Sequence, residues 1–212
     1  MILRTFPVGL LQCNCVVLGD PSTRDAIVVD PGGDVDLVLR VLAEESLVCR
    51  LIVNTHTHLD HVGGNCQLKE ATGARLLLHG ADVPLYDHLR EQAEWLGGLF
   101  PAPDRAPIDD TLAHGDRVAA GAISAEVLHT PGHTPGSLCL HLGEQAILVS
   151  GDTLFAGSIG RTDLWGGDLE QEMASLRHRI LRLDDRTRVL PGHGPETTIG
   201  VERRHNPFLQ GL

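Results

Sequence analysis

The run Thr55-His56-Thr57-His58-Leu59-Asp60-His61 concentrates three imidazoles and a carboxylate directly after the apolar stretch Leu51-Ile52-Val53. His56 and His58 are two apart, so in extended backbone they project to the same side. Asp60 and His61 follow in a turn and can point elsewhere. A single tetrahedral ion would need all four groups bent inward, so two adjacent cations suit the set better than one. Left without partners beside a buried strand, these groups would be costly to bury.

Three later segments share one form, an apolar strand and then a tight turn holding a candidate ligand. They are Leu128-His129-Thr130-Pro131-Gly132-His133, Val149-Ser150-Gly151-Asp152 and Leu190-Pro191-Gly192-His193-Gly194. Glycine and proline fix such turns and let backbone crowd a centre. If the strand ends converge, one cage would hold His56, His58 and His133. A second would hold Asp60, His61 and His193, and Asp152 would bridge the two. Two divalent cations facing two carboxylates and one hydroxide keep a net positive charge. Metal binding lowers the pKa of water to roughly 7, so hydroxide exists at neutral pH. The same ions would stabilise a tetrahedral oxyanion. The chain has no Gly-x-Ser-x-Gly and no cysteine in a nucleophile signature.

Those turns need a frame. Asn14–Leu18, Ala26–Val29, Leu51–Val53 and Arg75–Leu78 read as strands. Helices are predicted from an Asp34 N-cap to about Leu47, from His61 to Ala71 and from Val83 to Leu96. Pro101, Pro103 and Pro107 punctuate a linker. After it, Ile123–Leu128, Ser137–Leu142, Ala146–Val149 and Val189–Leu190 read as strands. Asp168 with Gln171 resembles a capping box for a helix carrying Leu169, Met173, Leu176, Ile180 and Leu183. The expectation is an α/β protein, one layered domain over 1–212 built from two β-α halves, about 1–107 and 108–212.

Composition narrows the partners. The chain has 212 residues and a net charge of −11, which argues against a nucleic-acid surface and against anionic lipid. The segment Thr5 to Gly19 is too short and too polar to span a bilayer. Five cysteines without a Cys-x-x-Cys pair read as free thiols in a reducing cytoplasm. His79, His88, His114, His129, His141, His178 and His205 are assigned no metal. Of these, His129 stands near enough to orient a ligand loop. Trp165 and Tyr86 are candidates for a pocket wall.

The ordered set Asp30, His56-x-His58-x-Asp60-His61, His133, Asp152 and His193 resembles the metallo-β-lactamase superfamily over nearly the whole chain. That resemblance implies a four-layer αββα sandwich with metals at the sheet edge. It makes His56, His58, Asp60, His61, His133, Asp152 and His193 the ligands and Asp30 a support for the histidine loop. Ser150-Gly151-Asp152-Thr153-Leu154-Phe155, Gly160-Arg161-Thr162-Asp163, and Gly192-His193-Gly194-Pro195 through Glu202-Arg203-Arg204-His205-Asn206-Pro207 are similar to the glyoxalase II group, short bacterial branch. The Asp60-His61 pair and the bridging Asp152 fit its hydrolase pattern rather than that of the zinc β-lactamases. The resemblance implies hydrolysis of a glutathione thioester such as S-lactoylglutathione by a metal-bridging hydroxide. Asp60 and Asp152 would be catalytic, and the cofactors two divalent ions, zinc first, with iron or manganese as alternatives. Arg161 would clamp a glutathione carboxylate, balanced against a salt bridge to Asp163. Arg203 and Arg204 are secondary candidates for substrate contact. The helical region that follows the last ligand motif in classical members is not found before Leu212, which bears on substrate preference. Two rivals share the cage: a persulfide dioxygenase with one iron on His56, His133 and Asp152, and a lactonase.

Overall fold

Alternation along the strands builds the molecule in layers. In the computed structural model, which describes residues 1–95, 97–98 and 101–211, the chain opens with strands β1 (Ile2–Val8), β2 (Cys13–Gly19) and β3 (Asp25–Val29). Helix α1 (Val35–Glu44) and β4 (Val48–Val53) follow, then short helices α2 (Leu59–Val62) and α3 (Asn65–Thr72), then β5 (Arg75–His79). Helices α4 (Val83–Asp87) and α5 (Leu89–Trp95) lead to β6 (Asp110–Leu112). These six strands form one sheet in the order β1-β2-β3-β4-β5-β6, with β3 to β6 parallel.

The second sheet takes β7 (Arg117–Ala120), β8 (Ile123–His129), β9 (Leu138–Leu142) and β10 (Ile147–Gly151). A small hairpin, β11 (Leu154–Phe155) with β12 (Ser158–Ile159), precedes α6 (Leu169–His178). Strands β13 (Arg188–Pro191) and β14 (Thr197–Thr198) complete that sheet before α7 (Ile199–His205). Its order is β14-β13-β10-β9-β8-β7, antiparallel except for β10 beside β13. The crossing between sheets thus lies between Leu112 and Arg117, because β6 adds to β5 beyond the proline-rich stretch.

Three apolar cores separate four layers. Cys13, Cys15, Val17, Ala26 and Val28 face α1 and α3, where Val35, Val38, Leu42 and Leu68 meet them. The intervening residues Val16, Leu18, Ile27 and Val29 face the other sheet and pack with Leu138, Leu140, Ile147 and Val149. From the far side of the second sheet, Cys139, Leu148 and Val189 meet Leu176 of α6 and Ile199 of α7. A period of two sends successive side chains to opposite cores, giving an αββα sandwich.

Several elements depart from the sequence expectation. Strand β1 went unread because Pro7 interrupts it; β1 lies at a sheet edge, where a missing N–H costs no ladder bond. The helix expected from His61 to Ala71 is broken at Gly63-Gly64. There the backbone presses on Pro31 and Gly32, and the Gly64 N–H leaves the helix to donate to Pro31 O at 2.7 Å. The helix from Val83 divides at His88, and its expected end at Leu96 lies outside the described residues. Asp34 precedes α1 but does not cap it; its carboxylate accepts the Gly9 N–H instead. Asp168 does cap α6, accepting the Gln171 N–H at 3.0 Å. That helix ends at His178, and Ile180 falls in a separate 3₁₀ turn. Among the described residues, no helix is long and apolar enough to cross a membrane.

Candidate metal centre

Every candidate ligand, and the supporting Asp30, follows the C-terminal end of a strand. Asp30 follows β3, the histidine run follows β4, His133 lies in the loop after β8, Asp152 follows β10 and His193 follows β13. Parallel pairing aligns these ends: Val29 is in register with Val53, and Gly151 with Pro191.

The structure brings all seven sequence-predicted residues together. Three groups have ligand atoms within 4.8 Å of one another: His56, His58 and His133; His56, His61 and Asp152; Asp60, His61 and His193. His58 Nδ1 lies 2.9 Å from His133 Nε2, and His61 Nε2 lies 3.3 Å from His193 Nε2. Asp152 stands between the groups, with Oδ1 3.5 Å from His61 Nε2 and Oδ2 3.6 Å from His133 Nε2. Asp60 Oδ2 is 3.0 Å from His193 Nε2. Gly192 makes this approach possible, since a Cβ there would overlap Asp152 Oδ1 and crowd His61 Cε1.

Hydrogen bonds behind the cluster fix which nitrogens face it. Asp30 accepts the Thr55 N–H at 2.8 Å and the Thr55 hydroxyl at 2.6 Å. The Thr55 oxygen in turn lies 3.1 Å from His56 Nδ1, which is left to donate. Asp30 Oδ2 also accepts from His61 Nδ1 at 3.0 Å. His133 Nδ1 donates to Arg161 O at 2.7 Å. Each arrangement directs Nε2 of His56, His61 and His133 into the cluster, as outer partners do for metal-binding imidazoles.

The electrostatics favour lone pairs over protons at one end. Burial, reinforced by neighbouring imidazoles, pushes His56 and His58 well below the usual histidine range. Burial also lowers His133 against the pull of Asp152. At the other end burial works against charge, but the carboxylate of Asp60 raises His193, and His61 and His193 hold Asp60 below its usual range. His56 Nε2 and Asp152 Oδ1 are buried with no hydrogen-bond partner. Unpaired buried acceptors beside facing imidazole nitrogens fit a cation-binding centre. Cys13 Sγ is 3.4 Å from His61 Nδ1, the nitrogen turned away from the cluster, and burial pushes its thiol up to about 12.

Two carboxyl groups that the sequence reading missed hold the ligand loops. Asp82 accepts the Thr57 N–H at 3.0 Å and the Thr134 hydroxyl at 2.9 Å, joining the loops of His58 and His133. Glu172 accepts the His133 N–H at 2.9 Å. Nothing local marks Asp82. Glu172 does leave a signal: it sits one turn before Leu176 on the apolar face of α6.

The centre floors a cleft of about 450 Å³. Leu85, Trp95, Phe155, Leu164 and Trp165 contribute to its wall, with Arg161. The Arg161 guanidinium is paired to Asp163, Nε to Oδ1 at 2.7 Å and Nη2 to Oδ2 at 2.8 Å. Tyr86 lies in the core instead, its hydroxyl donating to Ala106 O at 3.1 Å. Arg203 and Arg204 pair with Asp185, outside the cleft lining. His129 donates to Pro135 O at 2.9 Å, in the His133 loop, and stacks on His79 at 3.8 Å.

Comparison with known proteins agrees with the architecture. A hydroxyacylglutathione hydrolase, GloC, of Haemophilus influenzae is 37% identical over 99% of this chain and 98% of its own. The crystal structure of BLEG-1, titled a B3 metallo-beta-lactamase, superposes with a TM-score of 0.93 at 38% identity, over 99% of this chain and 100% of that one. TTHA1623 in a di-iron-bound form gives 0.87 at 39%, over 97% and 100%. The pattern of the metallo-beta-lactamase superfamily matches residues 8–193. With the sandwich and its histidine edge, that match makes the chain a member of the metallo-β-lactamase superfamily.

Proposed function

We propose that this protein hydrolyses a glutathione-linked thioester, using two divalent ions held by His56, His58 and His133 on one side and Asp60, His61 and His193 on the other. Zinc is the first reading of the metal, with iron or manganese also suited to nitrogen and oxygen ligands. The observation that carries the proposal is Asp152, whose Oδ1 lies 3.5 Å from His61 Nε2 and whose Oδ2 lies 3.6 Å from His133 Nε2 and 3.8 Å from His193 Nε2, so that one carboxylate reaches both histidine groups. Bound ions would supply a water of lowered pKa and polarise the thioester carbonyl.

The side chains then have defined tasks. Asp152 spaces the two groups. Asp60, kept ionised by His61 and His193, completes the second ligand group with them, and hydroxide adding to the acyl carbon would carry its own proton into the acid product. The carbon–sulfur bond breaks and sulfur leaves as a thiolate, which demands no strong general acid. Arg161 stands at the wall, within the cleft, for a carboxylate of the thiol carrier.

A second reading has its own support. BLEG-1 is titled a metallo-beta-lactamase, so the same centre is a candidate for opening a β-lactam carbonyl. The test is to load the protein with zinc, iron or manganese and count metal per chain. Thiol release from S-lactoylglutathione without oxygen uptake is expected. Oxygen consumption with glutathione persulfide would favour a dioxygenase, and turnover of a β-lactam alone would favour the second reading. Asp152→Ala is expected to lose metal; two ions still bound per chain would overturn its bridging role.

A further inference from the structure

The chain holds only two tryptophans, and both stand on the cleft wall rather than in a core. Trp95 is 61% exposed and Trp165 50% exposed. Leu11, 45% exposed, joins them, with Phe155, Leu164 and Leu85 completing an apolar surface around the histidine floor. Exposed indoles gathered at a concave site mark a surface that is covered by an apolar ligand.

Apart from the ions its floor would hold, cations are scarce there. Arg161 is the one lysine or arginine among the described lining residues, and its Nε–Nη2 edge already faces Asp163. The four residues outside the description are Leu96, Leu99, Phe100 and Leu212, none with a cationic side chain. A chain of net charge −11 adds no attraction for anions. For the acyl group, which meets this wall rather than the histidine floor, affinity therefore comes mainly from burial of apolar surface.

We infer that the preferred acyl group is a medium-length aliphatic chain or an aryl group, held against Trp95 and Trp165, rather than a small hydroxyacyl group. This rests on the thioesterase reading above and deepens it.

The test uses the metal-loaded full chain and S-acetyl-, S-butyryl-, S-hexanoyl- and S-lactoylglutathione. kcat/KM is expected to rise about threefold per added methylene, the gain for burying most of a CH₂. Trp165→Ala should cut the hexanoyl-to-acetyl ratio about tenfold. Binding is read independently of turnover, because both indoles report on the cleft. Hexanoate should blue-shift the tryptophan emission at concentrations at least tenfold below those at which acetate or lactate does so. Equal kcat/KM across the series, with equal emission responses, would overturn the inference and leave the thioesterase reading standing. No hydrolysis of any thioester, with hexanoate still shifting the emission, would overturn that reading and leave the apolar acid site.

Discussion

Asp82 Oδ2 accepts the Thr57 N–H at 3.0 Å, so a carboxylate from the turn before α4 pins the residue between His56 and His58. The same oxygen accepts the Thr134 hydroxyl next to His133. Asp82 therefore ties together one cage, whereas Asp30, through Thr55 and His61, reaches both. Asp82→Ala leaves buried donors unpaired and is expected to weaken metal at the His56, His58 and His133 group by about 10- to 100-fold. Competition titration with a chelator should show one weak and one unchanged ion per chain. Equal weakening of both would assign Asp82 a general structural role.

Glu172 couples stability to pH. Burial pushes its carboxyl up to about 9, against the His133 N–H and with the charge of Asp152. In the unfolded chain it ionises near 4.5. Between those values the unfolded state binds fewer protons, so folding stability falls as pH rises. The contribution is intact below 4.5 and lost once pH passes about 9. Glu172→Gln keeps an oxygen for the His133 N–H and has no proton to lose. Melting temperatures of the apoprotein from pH 5 to 9 should fall more steeply for the wild type than for the variant.

Gly192 leaves room between backbone and the Asp152 carboxylate. Gly192→Ala places a methyl against Asp152 Oδ1 and His61 Cε1. A destabilisation of about 1–3 kcal/mol is expected from such overpacking, with loss of metal at the Asp60, His61 and His193 group. Urea unfolding and metal counting check both.

Arg161 and Asp163 should have opposite effects. Arg161→Ala is expected to raise KM for glutathione thioesters several-fold, but not for thioesters of small neutral thiols. Asp163→Asn, which removes the competing carboxylate, should lower KM for the glutathione series. Parallel changes across both series would refute a carboxylate clamp.

The strands and the ligand turns were legible because their signals are local. Near-continuous apolar runs in β2, β3 and β10 require two covered faces, and glycine or proline closes most of their ends. Short pairings were not legible. β6, β7 and β14 hold too few residues to show a period and exist because a neighbouring strand is there to pair with them. The break at Gly63-Gly64 depends on Pro31 and Gly32, a separate loop.

The sequence by itself placed imidazoles and carboxylates directly after strands, the side-chain types that a metal centre needs. Only the tertiary structure decided how they are held. Asp82 and Glu172 look like ordinary helix-start and helix residues until the sheets bring Thr57, Thr134 and His133 against them. The cleft wall is likewise tertiary, since Leu11, Leu85, Trp95, Phe155 and Trp165 come from separate elements. Side-chain type is written locally, but a buried carboxyl acquires its partners, and an exposed indole its neighbours, only when distant segments meet.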